Sequence, residues 1–299
     1  MSRRPVYDRY RARERPTRPP PAAGLTGGAS PHQPMGATME TSSADILFER
    51  HGPVAWLTFN RPQARNAMTY AMYERLAQIC DEVEADPSIR VLVLTGAGDR
   101  AFVAGTDISQ FRTLTTPQDA LEYEARMDRV IGRLEAVAVP TIAMVRGYAV
   151  GGGASIALAC DLRLCSPDAK FGVPIARTLG NCLSMNTVAR LIDLMGPARM
   201  KEMIFTARMI EAQEAHAAGL VNEVVAAEAL AGRVRELAEQ IAANAPLTIR
   251  VTKEAVRRVL AQRRTAQGED LVLAAYMSED FAEGVRAFLE KRKPVWKGK

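Results

Sequence analysis

The chain has 299 residues, of which 47% are hydrophobic and 24% charged, an ordinary balance for a globular protein with one large core. The longest apolar stretch, Val137 to Leu162, is broken by Pro140, Arg146 and a glycine triplet, so it falls short of the roughly 20 uninterrupted apolar residues of a membrane span. The formal charge of +5 sits in the first 39 residues, where seven arginines face Asp8 and Glu14; the remainder balances, which argues against nucleic acid as a partner.

Residues 1–40 hold seven of the 17 prolines and almost no apolar pattern, and they read as a disordered, basic tail. Met35 and Met39 stand just before the first patterned segment, so an upstream-assigned start also explains the tail. Without a targeting pattern the expected location is the cytoplasm. Cys80, Cys160, Cys165 and Cys182 form no C-x-x-C pair and read as reduced thiols. His32, His51 and His216 are scattered, and no metal site is expected.

From Asp45 the pattern alternates. Ile46–Phe48 and Val54–Phe59 flank a His51-Gly52 turn and read as a β-hairpin. Residues 66–85 have helical spacing, 91–96 form a buried strand, 117–135 a second helix and 141–145 a second buried strand. A helix over 154–160 and a strand over 162–165 follow. Strands alternating with helices predict an α/β core over 41–205. The final third, 206–299, reads as helical, with one strand near 220–225; its last helix is expected to run from Gly268 to Arg292.

Two glycine-bearing turns follow buried strands, Ala104-Gly105-Thr106-Asp107-Ile108 and Gly147 to Gly153. The second opens a helix on a glycine triplet, where unpaired N–H groups and the helix dipole favour negative charge. Such a triplet also serves close packing alone. Together with Asn60-Arg61-Pro62, Arg65-Asn66-Ala67, Cys160-Asp161, Phe171-Gly172-x-Pro174 and Lys291-Arg292-Lys293-Pro294, these segments occur in the order and spacing of one family. The sequence resembles the crotonase superfamily, the enoyl-CoA hydratase/isomerase group, from about Asp45 to the C-terminus.

That resemblance implies a ββα spiral core, a helical C-terminal trimerisation region, and homotrimers or dimers of trimers. It implies an acyl-CoA or enoyl-CoA substrate, with coenzyme A entering as part of the substrate rather than as a separate cofactor. It places the oxyanion-hole amides at Thr106 and Gly152, and lines the CoA pocket with Ala64, Arg65, Ala67, Ala104, Asp107 and Ile108. Taken singly, Arg65 reads as a surface arginine and Asp107 as a helix N-cap.

Hydratases of the group use two glutamates, one to activate water and one to protonate the α carbon. At the matching positions this chain has Ser155 and Ile175. Ile175 cannot move a proton, and Ser155 has no adjacent base. The following segment, with Arg177, Thr178, Asn181, Cys182, Ser184 and Asn186, offers polar groups for a substrate or for loop capping; Arg177 and Asn181 join Ser155 and Ile175 as candidate substrate contacts. Candidate acid/base groups lie on the 117–135 helix: Glu122, Glu124 and Asp128, with Tyr123 as a possible acid. Cys182 lacks a basic neighbour to activate it. Two functions are open for the body, enolate chemistry on an acyl-CoA thioester as a lyase or isomerase, or a noncatalytic CoA-binding or assembly subunit; a third, weaker reading gives the arginine-rich tail RNA or an acidic partner.

Overall fold

The computed structural model describes residues 45–264 and 267–299. The basic tail of residues 1–40 lies outside the described residues.

The hairpin forms as expected: β1 (Ile46–His51) and β2 (Val54–Phe59) pair antiparallel across Gly52, which turns at φ +61°. The first long helix, α1, spans Tyr70–Ala85 and begins four residues later than its apolar spacing suggests. Asn66 is the reason. It sits at φ +57°, fully buried, accepting from the Arg61 N–H (2.9 Å) and donating to Ala97 O (3.0 Å) and Ala101 O (2.8 Å). Thr69 then caps α1 by accepting from the Met72 N–H.

β3 (Val91–Gly96), β5 (Thr141–Val145), β7 (Leu162–Cys165) and β10 (Glu223–Val224) continue the first sheet in parallel, giving the order β1-β2-β3-β5-β7-β10. The register aligns Trp56, Val93, Ile142 and Leu162 in one row. That row faces α7 (Leu230–Ala243), packing against its Leu230, Val234 and Ala238. Leu92 and Leu94 point to the opposite face and join the main core with α1. With both faces covered, β3 reads as a continuous apolar run.

A second sheet, absent from the sequence-level reading, runs β4 (Ala101–Val103), β6 (Tyr148–Val150), β8 (Lys170–Gly172) and β9 (Ile210–Glu211). Its strands are two or three residues long. Between its strands runs α3 (Gly152–Ala159), a helix whose residues from Gly153 onward are all buried. Its C-terminal end meets a buried guanidinium: Arg163 on β7 donates to the carbonyls of Ala157 (3.1 Å), Cys160 and Leu220 (2.7 Å).

α2 (Pro117–Glu135) matches its expected bounds, opening on a Thr116–Asp119 capping box. After the short α4 (Ile175–Thr178), α5 (Met185–Thr206) bends at Gly196, which is non-helical at φ 78°, ψ 161°. α6 (Ala212–Ala217) and α8 (Pro246–Arg263) precede two helices, α9 (Glu269–Tyr276) and α10 (Glu279–Leu289), where one was expected. Ser278 breaks them by capping the second, accepting from the Phe281 N–H at 3.0 Å. α9 and α10 pack Val272, Tyr276, Phe281 and Val285 onto Phe111, Ala120 and Leu179, closing one side of the site.

Candidate active site

A cavity of about 710 Å³ lies where the ends of β4 and β6 meet α2, α4 and α9. Its rim is built by the motif turns. Met68 and Thr106 form an isolated parallel bridge, with the Met68 N–H donating to Gly105 O and the Asp107 N–H to Met68 O, both at 2.8 Å. In that pattern the bridged residue's own N–H faces away from the ladder, so the Thr106 amide is left for another acceptor. Gly152 is the first residue of α3 and its N–H has no intrahelical acceptor. Gly151 reaches this geometry at φ +53°. A Cβ on Gly152 would stand 2.1 Å from the Tyr73 hydroxyl and 3.2 Å from Thr106 Oγ1, so only glycine lets this amide approach.

The structure brings Thr106 and Gly152 to the cavity together with Ala64, Arg65, Ala67, Ala104, Asp107, Ile108, Ser155, Ile175, Arg177, Asn181, Glu124 and Asp128. Asp107 also acts as an N-cap: its carboxylate accepts from the Ser109 N–H (3.2 Å) and hydroxyl (2.7 Å), and pairs with Arg61 at 3.6 Å. Ser155 spends its hydroxyl on Gly151 O at 3.4 Å. Glu122 is placed elsewhere. It is exposed on the outer face of α2 and accepts from Gln118 at 2.7 Å, so it does not line the cavity.

Helical phase explains the difference. Ala120, Tyr123, Glu124, Met127, Asp128 and Ile131 follow the i, i+3, i+4, i+7 spacing of the inner face, and all but Ala120 line the cavity. Burial of Glu124, reinforced by the Asp128 charge, raises its carboxyl pKa to about 7 against the opposing hydrogen bond from Tyr276. Asp128 is engaged on both oxygens, accepting from the Ser184 hydroxyl (2.6 Å) and Asn186 Nδ2 (2.9 Å). Glu124 therefore holds the freer carboxylate of the pair.

Two lining tyrosines escape the motif reading. The Tyr73 hydroxyl lies 3.0 Å from Thr106 Oγ1, which lies 3.4 Å from the Tyr123 hydroxyl. Tyr276 donates to Glu124 Oε1. Burial pushes the Tyr73 phenol up to about 12 and those of Tyr123 and Tyr276 well above their usual value, so all three remain hydrogen-bond donors. Tyr73 had a sequence signal, since it sits beside Met72 on the buried stripe of α1. Tyr276 lies 152 residues from Glu124 and had none short of the fold. Burial, with the neighbouring Glu124 charge, holds the Cys182 thiol up to about 12, which leaves it unreactive as a nucleophile.

The chain matches the model of the enoyl-CoA hydratase/isomerase family over residues 49–299. It is 37% identical over 257 residues to a short-chain-enoyl-CoA hydratase of Clostridium acetobutylicum, covering 83% of this chain and 96% of that protein. A carnitinyl-CoA dehydratase of Citrobacter koseri is 36% identical, across 86% of this chain and all of its own length. A crystal structure of a methylmalonyl-CoA decarboxylase, complexed with 2S-carboxypropyl-CoA, superposes with a TM-score of 0.78 at 31% identity, covering 87% of this chain and 100% of that one. With the two glycine-bearing turns and the two-sheet core in place, the chain belongs to the enoyl-CoA hydratase/isomerase, or crotonase, family.

Proposed function

We propose that this protein processes an acyl-CoA thioester through an enolate held by the Thr106 and Gly152 amides, with Glu124 as the single proton carrier. The observation that carries this reading is the Glu124 carboxyl, buried in the cavity wall with a pKa of about 7. A group poised near neutrality both accepts and returns a proton. Each oxyanion donor contributes roughly 3 kcal/mol to such an intermediate.

One proton carrier favours an isomerisation over hydration. Glu124 removes a proton from C2 of a 3-enoyl-CoA, and the C–H electron pair moves into the conjugated thioester and its carbonyl oxygen. The same carboxyl then returns the proton at C4, leaving the double bond between C2 and C3. Hydration needs a second group on the water; Ser155 and Ile175 do not supply one. Ala64, Arg65, Ala67, Ala104, Asp107 and Ile108 would hold the CoA portion at the rim.

The working unit is proposed to be a homotrimer or a dimer of trimers. In support, α8 has no buried residue in the single chain and exposes Leu247, Val251, Val256 and Val259. No helix among the described residues is long and apolar enough to cross a membrane.

The test is turnover of short 3-enoyl- and 2-enoyl-CoA substrates by the purified protein and by Glu124→Gln, with CoA-ester binding measured for both. Conversion of the 3-enoyl to the 2-enoyl isomer, lost at least about 100-fold in the variant with binding kept, is the expected result. Dominant water addition, or turnover that survives Glu124→Gln, overturns it. Tight binding with no turnover of either substrate would favour the assembly-subunit alternative.

A further inference from the structure

The hydroxyl of Tyr276 stands between two side chains from different parts of the chain. It donates to Glu124 Oε1 at 2.5 Å and accepts from Asn181 Nδ2 at 3.1 Å. A phenol has one proton to give. With Asn181 filling a lone pair from behind, that proton is directed at the carboxylate. The ring has little room to turn away, being 2% exposed and packed against Phe281 (centroids 4.8 Å apart) and Tyr123 (6.1 Å).

We infer that Tyr276, backed by Asn181, is a positioning residue that aims the Glu124 carboxylate into the cavity and favours its proton-accepting form. This rests on the reading of Glu124 as proton carrier. The titratable groups that interact with Glu124 are Tyr73 from α1, Tyr123 and Asp128 from α2, Cys182 from the segment after α4 and Tyr276 from α9, while Arg177 of α4 lines the same cavity without pairing to it. Asp128 opposes ionisation of Glu124, and no ion pair joins Glu124 to a cation among the described residues. Among the described residues the Tyr276 O–H makes the one hydrogen bond that favours the carboxylate, so its removal should raise the pH at which Glu124 titrates.

The experiment is carbon-13 NMR of the full-length protein labelled at the glutamate δ carbon, with the Glu124 resonance assigned by its loss in Glu124→Gln. Tyr276→Phe keeps the ring and deletes the hydroxyl. Its Glu124 resonance should titrate about one pH unit higher than in the parent protein. The acid limb of kcat/KM should move by the same amount, with turnover recovering above the new midpoint. Asn181→Ala should shift both in the same direction by less, and it serves if Tyr276→Phe fails to fold.

An unmoved Glu124 titration in a folded variant overturns the inference. So does an equal loss of turnover at every pH, which marks a merely structural tyrosine. The functional reading fails separately: wild-type turnover by Glu124→Gln would remove Glu124 from the chemistry, while the NMR titration still decides whether Tyr276 governs its ionisation.

Discussion

Glu122 and Glu124 are separated by one residue on the same helix and have opposite surroundings. Glu122 is solvated beside Gln118, whereas Glu124 is half-buried among tyrosines. Their difference was legible as phase: Glu124 and Asp128 share the stripe of Ala120, Met127 and Ile131, and Glu122 is off it. Turnover should accordingly fall by about 100-fold or more in Glu124→Gln and stay within about twofold in Glu122→Gln, read as kcat on the same substrate. Because the base form of Glu124 predominates only above its pKa of about 7, kcat/KM should climb as pH rises through that value. A flat profile between pH 6 and 8 would contradict this. The absence of glutamate at the two positions that the resemblance pairs with the hydratase acid/base groups was equally visible, since Ser155 and Ile175 stand at fixed offsets from the glycine triplet and from Phe171-Gly172-x-Pro174. The surroundings of Glu124 were not, because Tyr276 and Asn181 come to it only after the C-terminal helices fold back onto α2.

At the scale of elements, the long segments declared themselves and the short ones did not. β3, β5 and β7 are apolar runs bounded by turns, and α2 carries its own capping box. β4, β6, β8 and β9 are two or three residues long, too short for any period to register. They still decide where the site lies, because the rim turns follow β4 and β6. The packing of α3 against β4 leaves no space for a side chain at Gly153, whose Cβ would come within 2.0 Å of the Val103 backbone oxygen. Gly153→Ala should destabilise the fold by roughly 1–3 kcal/mol in denaturant unfolding, with loss of activity following the loss of structure. α8 offers the complementary test. Glutamate at both Leu247 and Val251, exposed at 69% and 58%, should reduce the sedimentation mass toward a monomer if this face is the subunit contact. An unchanged mass would assign assembly to another surface.

For the molecule as a whole, the site imposes a stability cost that depends on pH. The folded state holds the Glu124 proton up to about 7, against an ordinary carboxyl value of 4.5, so it binds more protons than the unfolded chain between those two values. Stability from this group is present below 4.5 and is lost as pH rises through 7. Glu124→Gln should therefore stabilise the protein by roughly 1–3 kcal/mol at pH 8 and by less at pH 5, measured as unfolding free energy at both. Equal effects at the two values would mean that the carboxyl is not held neutral by burial. The basic tail stands outside this balance: its charge is confined to the first 39 residues, and the family match begins at residue 49. Removal of residues 1–38 should leave turnover, CoA-ester binding and subunit number unchanged in kinetic and sedimentation assays.

The buried Arg163 gives α3 an electrical character that its length alone would not. Eight residues make a rod only about 12 Å long, so its negative end would ordinarily offset much of the field that its positive end projects into the cavity. The guanidinium bonded to the Ala157 and Cys160 carbonyls neutralises that far end. With those carbonyls engaged, less of the field at the Gly152 end should be offset than in a free helix of its size.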